Sequence, residues 1–492
     1  LFLTAAHTHA EQVAMIESGR AMTYLELEEA IKQRAGHFHK KGIRKGDRIL
    51  VLLPMSTELY IDVLAIFYMG AVAVFLDAWV NKKRMELCCR MAACKGLIAS
   101  FKIRMIGLLS KEIRKIPIKL SPSKKGDGIN AAPADVNDSD TALITFTTGS
   151  TGIPKAADRT HVFLKAQFDA LQPLLPKHTG GDMTLLPIVL LLNLGTGKTS
   201  VIANFKASKP RSFDPPKIYD QLQHHRIESI TFSPYYLMSL ANYCLENKLK
   251  LPHLQNILSG GGPVFPHDAS IIKLAFPHAA FTIVYGSTEA EPIAHIDSTE
   301  LLRLTKQHIQ TGLPVGKPDA SARIQIIPID EYPVKQVTAL PAGSPGEIIV
   351  AGKHVLQSYI NNEEAFKQNK IADNGVIWHR TGDAGYVNEN GELFLLGRCK
   401  QIIHLGEQHY YPFLIEEELK RVPGIVAGTL ILKNDQPHVI YQHEQIFDKE
   451  TFLQQLERLQ ISAFRCVAIK QMPMDKRHHT KIDYEILNKM KI

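Results

Sequence analysis

Thr147-Thr148-Gly149-Ser150-Thr151-Gly152-Ile153-Pro154-Lys155 is the most telling stretch of this chain. It follows directly on Thr141–Phe146, a largely apolar run that reads as a buried strand. Small residues at a strand end let backbone N–H groups and hydroxyls close on phosphate oxygens, and Lys155 adds a full positive charge. The spacing is not that of a Walker A loop. A second segment, Gly195-Thr196-Gly197-Lys198-Thr199-Ser200, imitates such a loop. It needs a glycine five residues before Gly197, however, and position 192 is Leu. A P-loop hydrolase is therefore set aside, and substitution of Lys198 is expected to be tolerated.

The rhythm on either side of the loop is that of an α/β protein. Upstream, Thr23 and Glu26 form a capping box, and Tyr24, Leu27, Ile31 and Phe38 recur at helical spacing until Gly42. Arg48–Leu53 is a strand stopped by Pro54, Leu59, Val63 and Phe67 mark a helix, and Ala71–Leu76 is the next strand. Residues 101–140, basic and then polar, read as a surface excursion. Downstream, strands at Met183–Pro187, Ser229–Phe232, Asn256–Leu258 and Phe281–Val284 alternate with helices, one of them over 216–226 after the cap Asp214-Pro215. Such alternation implies parallel sheets covered on both faces.

After residue 311 or so, short strands with turns take over: Ala322–Pro328, Glu347–Val350 and a hairpin Tyr386–Leu396 around Asn390-Gly391. From about 400 a small α+β module follows, with a helix at Glu416–Arg421, paired strands Gly428–Lys433 and Pro437–His443, and a helix at Asp448–Leu459. The expected fold is a large N-terminal region of parallel α/β sheets plus a β-rich subdomain, residues 1–399, and a small mobile C-terminal α+β lid, 400–492.

Composition bounds the function. A chain of 492 residues needs two or more domains. Its 57 Lys and Arg against 49 Asp and Glu give +8, a surplus which, read as spread over the whole length, is no nucleic-acid footprint. Cysteines at 88, 89, 94, 244, 399 and 466 form no C-x-x-C pair, and three crowd one basic helix-like stretch. That argues against zinc and disulfides and for a reducing, cytoplasmic setting. The longest apolar runs, Ile188–Leu192 and Gly70–Leu76, fall far short of the ~20 residues of a membrane span. No signal peptide is legible, although the chain opens at Leu1 rather than Met, as it would with a short N-terminal piece missing.

Two further segments carry chemistry. Tyr285-Gly286-Ser287-Thr288-Glu289 follows the strand Phe281–Val284, where sheet ligands sit, and offers an aromatic face, a hydroxyl and a carboxylate suited to Mg²⁺. Thr381-Gly382-Asp383 presents one carboxylate in a rigid turn, fit to accept from two ribose hydroxyls, and Gly397-Arg398-Cys399-Lys400 opens the small module.

In this order and spacing the segments resemble the acyl-adenylate-forming superfamily of acyl-CoA synthetases, luciferases and peptide-synthetase adenylation domains, from Thr23-Tyr24 to Lys481. The resemblance implies ATP and Mg²⁺ as partners of a carboxylic acid that becomes an acyl-AMP. It implies that the 147–155 loop holds the β- and γ-phosphates. Ser259-Gly260-Gly261-Gly262-Pro263 is similar to the family's adenine turn, and Tyr285 to its stacking aromatic. Thr288 would bond the α-phosphate, Glu289 would hold Mg²⁺, and Asp383 and Arg398 would fix the ribose. Lys400 stands at the family's hinge, and Lys481, in Thr480-Lys481-Ile482-Asp483, matches its catalytic lysine.

The acceptor is less determined. Ala156, Leu190 and Tyr484 depart from residues common in acyl-CoA ligases, Leu190 replacing a His. Leu185–Leu194 with Tyr235, Tyr236, Leu237 and Met238 suggests an apolar acyl pocket. CoA is the expected acceptor, which would make a fatty acid–CoA ligase. Leu186-Pro187, Thr199-Ser200-Val201-Ile202 and Trp378-His379-Arg380 resemble olefin-pathway β-lactone synthetases instead, in which a 3-hydroxyl closes on its own acyl group. A non-catalytic nucleotide sensor is disfavoured, because Lys155, Glu289, Asp383, Arg398 and Lys481 all stand. The pairs His224-His225 and His478-His479 are expected at the surface, and no nucleic-acid partner is expected.

Overall fold

The computed structural model describes every residue except 77–81, 108–109, 123–129, 149–153, 177–179, 206–211, 308–311, 331–333, 335, 462–464, 476–478 and 491–492. Among the described residues, one six-stranded sheet runs Ile118–Leu120, Gly96–Ala99, Arg48–Leu52, Val72–Phe75, Thr141–Thr148, Pro154–Thr160. Its neighbours are parallel except the last pair. Along Arg48–Leu52, Ile49 and Val51 enter the core of Tyr24, Leu27, Ile31 and Phe38, whereas Leu50 enters that of Cys88, Cys89 and Ile144. Side chains alternate across a strand, so a wholly apolar strand requires a core on each face.

The second sheet has eight strands, in the order Ala290–Asp297, Ala280–Ser287, Asn256–Ser259, Ser229–Phe232, Asp182–Thr184, Ser200–Val201, Val13–Glu17, Arg20–Thr23. Inner pairs are parallel and the outermost pair at each edge is antiparallel. A third, antiparallel sheet is built on the long strand Val376–Val387, flanked by Leu393–Arg398 and Gly346–Ala351. The C-terminal stretch holds a hairpin, Ile403–Leu405 with Gln408–Tyr410, and a three-stranded sheet of Ile425–Lys433, Gln436–His443 and Arg465–Ala468. None of the described helices is long and apolar enough to cross a membrane.

Local chemistry sets most boundaries. Helix Tyr24–Lys40 opens on the expected capping box, with Glu26 N–H donating to Thr23 Oγ1 at 3.2 Å and Thr23 N–H to Glu26 Oε2 at 2.8 Å. Its Arg34 reaches Asp62 of helix Thr57–Tyr68 at 2.5 Å, an ion pair enclosed between the helices. Burial there pushes the Asp62 carboxyl up to about 7 despite the guanidinium.

Three expectations need correction. Residues 101–140 are not all surface: Ile118–Leu120 extends the first sheet, and Arg34 donates to Ser121 O at 2.7 Å. Ile113, Ile116 and Leu120 are buried, an apolar set masked in the sequence by the lysines between them. The strand at Met183 ends at Thr184, and Pro187 instead opens a helix, Pro187–Gly195, as proline at a first helical position does. Asp214 precedes helix Pro215–His224 but makes no capping bond, its carboxylate pairing with Lys217 at 2.5 Å.

The C-terminal part rests on the second sheet's helices. Helix Pro412–Lys420 sends Lys420 to Asp268, 2.7 Å away on helix Pro266–Ala275, and Phe413 edges onto Phe265 with centroids 5.7 Å apart.

Candidate active site

The two ends of the expected phosphate loop lie on strands paired antiparallel. Thr147 faces Lys155 and Thr148 faces Pro154 across the pair. Gly149, Ser150, Thr151 and Gly152 lie outside the described residues. Register carries Lys155 onto the returning strand, where its Nζ donates to Asn369 Oδ1 at 2.8 Å and stands 3.8 Å from Glu289 Oε1. Burial lowers the basicity of Lys155; Glu289 opposes the effect, while Arg398 and Lys400 add to it.

The imitation loop is built differently. Gly195 and Thr196 end a helix, the N–H groups of Thr196 and Lys198 already donate to Asn193 O, and Lys198 is buried. A helix C-terminus presents carbonyls, so it cannot cradle phosphate.

Glu289 owes its position to the turn between strands Ala280–Ser287 and Ala290–Asp297. Ser287 pairs with Ala290, leaving Thr288 and Glu289 at the tip. Thr288 O accepts from Arg159 Nη2 at 2.9 Å and Glu289 O from Leu356 N–H at 2.7 Å, so both residues are anchored through their backbones. A Cβ on Gly286 would lie 2.9 Å from Ala290 O, which is why glycine is needed there.

From the same strand Tyr285 donates to Asp383 Oδ2 at 2.8 Å. Asp383 sits opposite Arg398 in the hairpin register, their side chains 3.2 Å apart, and Arg398 also bonds Thr381 O at 2.9 Å. Burial beside Asp383 raises the Tyr285 phenol well above its ordinary value, so it remains a donor. Tyr285, Asp383 and Arg398, read from three separate motifs, thus form one hydrogen-bonded group.

The glycine run Gly260-Gly261-Gly262-Pro263 leaves the end of strand Asn256–Ser259. A Cβ on Gly260 would lie 3.2 Å from Val284 O, and one on Gly262 would lie 2.2 Å from Thr480 Oγ1. The loop bearing Lys481 is therefore seated on this turn. Asp475 braces it, accepting through Oδ1 from the N–H of Thr480 at 2.9 Å and of Lys481 at 2.8 Å. His479 packs its ring 4.7 Å from Tyr235, which corrects the expectation that it is plain surface; His478 lies outside the described residues. His224 is exposed, as expected. Lys400 lies in the short turn Cys399–Gln401 between the third sheet and the C-terminal hairpin.

Sequence reasoning missed the floor beneath Lys155. Lys370, only 3% exposed, faces His379 across the hairpin of Lys370–Asp373 with Val376–Val387. Its ammonium donates to Leu356 O, and Lys155 and Lys370 lie 5.5 and 5.7 Å from the Tyr359 ring centroid. Burial lowers the Lys370 ammonium to about 7. A signal existed: Asn374-Gly375, both at positive φ, forms a two-residue turn that fixes which residues face each other.

The apolar pocket reading is only partly met. Leu190, Leu194 and Leu237 are fully enclosed in structural cores. Leu186, Ile188 and Leu192 instead pack with Phe168, Leu258 and Val284, next to the strand ends that carry Gly260 and Tyr285. Ala156 is buried, and Tyr484 bonds Glu416 at 2.7 Å inside the C-terminal part, so neither departure faces the site.

Known proteins resemble this chain in sequence and share its fold. An olefin beta-lactone synthetase of Stenotrophomonas maltophilia (strain K279a) is 27% identical over 443 residues, 83% of this chain and 78% of that protein. A 4-coumarate-CoA ligase of Narcissus pseudonarcissus is 23% identical over 455 residues, covering 87% and 80%. The O-succinylbenzoate Coenzyme A synthetase of Bacillus subtilis, solved with AMP, superposes with a TM-score of 0.80 at 21% identity, covering 100% of this chain and 98% of that one. An amide bond synthetase from Marinactinospora thermotolerans superposes at 0.82 and 20% identity, covering 99% of both. The AMP-binding enzyme family matches residues 2–360, and with the motif order and the assembled Tyr285–Asp383–Arg398 group this makes the chain a member of that family of adenylate-forming enzymes.

Proposed function

We propose that the chain couples ATP to an apolar carboxylic acid, of medium- or long-chain fatty type, and then hands the acyl group to an acceptor. The carboxylate oxygen attacks the α-phosphorus, the bond from phosphorus to the β-phosphate bridge breaks, and pyrophosphate leaves. Anion approaches anion in this step, so the barrier is largely electrostatic. Lys155 meets the β- and γ-phosphates together with the 147–153 loop. Tyr285 stacks on adenine over the Gly260–Pro263 turn, Asp383 and Arg398 hold the ribose, and Thr288 bonds the α-phosphate. Lys481 lies between carboxylate and α-phosphate. The donor set fits a hard cation: Glu289 offers carboxylate oxygen and is 7% exposed on an anchored turn. Mg²⁺ bound there supplies charge neutralisation.

The observations that carry this reading are the seating of the Lys481 loop on Gly262 and the joining of Tyr285, Asp383 and Arg398. Residues 400–492 act as a lid turning at Lys400, and CoA is the first acceptor to test. A second reading, a β-lactone synthetase without CoA, is favoured by Leu190, buried in the core where many CoA ligases place a histidine, and by the relatives of that name. Acid-dependent ATP–pyrophosphate exchange across plain and 3-hydroxy fatty acids tests adenylation, and lack of exchange with every acid would refute it. Product mass spectrometry with and without CoA decides the acceptor. Thioester from both acid types ends the lactone reading; CoA-independent lactone ends the ligase one.

A further inference from the structure

The positive surplus of the chain is not spread along it. Residues 82–119 hold eleven Lys and Arg against two Glu, a net +9, which leaves 46 basic and 47 acidic residues, a net −1, for everything else. The structure brings part of this charge together, although Lys95 pairs with Asp47 and Lys115 with Glu112 at 3.1 Å. Helices Lys82–Ala92 and Lys111–Lys115 pack together through Ser110, which donates to Glu86 at 3.1 Å, and through Arg90, 3.8 Å from Glu112. Both acidic residues are thereby engaged by their own neighbours. Lys82, Lys83, Lys102, Lys111, Arg114 and Lys115 remain exposed.

Apolar side chains project from the middle of this field. On helix Phe101–Gly107, Phe101 is 71% exposed, Met105 52% and Ile103 37%. Nowhere else among the described residues do three large exposed apolar side chains fall within five residues. The Arg104 guanidinium lies 5.9 Å from the Phe101 ring centroid, so charge and apolar surface are interleaved. Exposed apolar groups rimmed by charge mark a contact surface. A nucleic acid would satisfy the lysines but gives Ile103 and Met105 no apolar phase to enter, whereas a bilayer interface accepts both kinds of group.

We propose that this face, centred on Phe101 and Met105 and ringed by Lys102, Lys111 and Lys115, docks on a membrane surface rich in anionic phospholipid. The helix leaves the C-terminal end of strand Gly96–Ala99, which through two intervening strands is parallel to Thr141–Thr148, so Phe101 starts from the sheet end at which Thr148 leads into the expected phosphate loop. An apolar acid held in the bilayer is then delivered on the side where it is used.

Flotation of the full chain with vesicles tests this. Phosphatidylcholine vesicles containing roughly one third phosphatidylserine should bind it ~10-fold or more tightly than phosphatidylcholine alone, and high salt should abolish the difference. The double variant F101S/M105S should weaken binding ~10-fold at unchanged salt dependence. K102E/K111E/K115E should remove the preference for anionic lipid. Melting temperature and pyrophosphate exchange with a short, soluble acid should match the unsubstituted chain in both variants. Equal binding to the two vesicle types, binding to neither, or variants that float like the unsubstituted chain would overturn the proposal. Retention on duplex DNA or an acidic protein without flotation would do the same, by assigning the face to another partner.

Discussion

Lys481 is exposed, and its backbone N–H is held by Asp475. A cation braced at its root suits a role in which charge builds only as the reaction proceeds. Lys481→Ala should therefore lower ATP–pyrophosphate exchange ~100-fold or more while nucleotide binding changes little. Near-normal exchange would remove Lys481 from the site. Lys370 is the opposite case, a charge enclosed where water cannot reach it. Its folded-state pKa, about 7, lies below the ordinary 10.5. Between those values the unfolded chain binds the extra proton, so this group makes stability rise with pH there, and below about 7 its burial cost is fully present. Lys370→Met should flatten the rise by up to ~1.4 kcal/mol per pH unit. Urea unfolding at pH 7, 8 and 9 measures it, and identical slopes in the two proteins would contradict the assignment. The role of Lys481 was legible in its motif, whereas the enclosure of Lys370 shows only through the strand that faces it.

Elements were legible wherever a local interaction ends them. The capping box at Thr23 and the hairpin turn at Asn390-Gly391 stand as expected, since each depends on contacts a few residues apart, and the strand Ser229–Phe232 stands as its apolar run implied. The strand Ile118–Leu120 was not, because three residues with a lysine in the middle bury their apolar atoms only once Gly96–Ala99 supplies a partner edge. The returning strand Pro154–Thr160 was missed for a related reason: Lys155, Asp158 and Arg159 look like loop chemistry until ligand-facing and core-facing sides are known. At the turn Cys399–Gln401 the third sheet gives way to the C-terminal hairpin, and Lys400 is exposed there. Lys400→Pro should fix φ and hold the adenylating arrangement, leaving pyrophosphate exchange within about 3-fold while acyl transfer to the acceptor drops ~10-fold or more. Equal slowing of both steps would show that no rotation occurs at this residue.

On the scale of the whole molecule, the C-terminal part meets the helices and turns of the second sheet, among the described residues, through contacts that include Lys420 with Asp268, Phe413 with Phe265, His479 with Tyr235 and Thr480 on Gly262. Asp268→Asn keeps the shape but removes a charge from a partly buried pair, so the seated arrangement should be populated less and exchange should fall about 3- to 10-fold with the fold intact. A normal exchange rate would mean that the pair does not help seat the lid. The sequence by itself determined the α/β class, the order of the motifs and the chemistry each can supply, because helix periodicity, strand alternation and turn residues are encoded within short windows. Tertiary structure alone decided that Tyr285, Asp383 and Arg398 share one hydrogen-bonded group, that Lys370 lies under Lys155, and that the helices Lys82–Ala92 and Lys111–Lys115 bring exposed lysines together. Those facts depend on which strands pair and which helices pack, and such contacts join residues far apart in the chain that no local pattern connects.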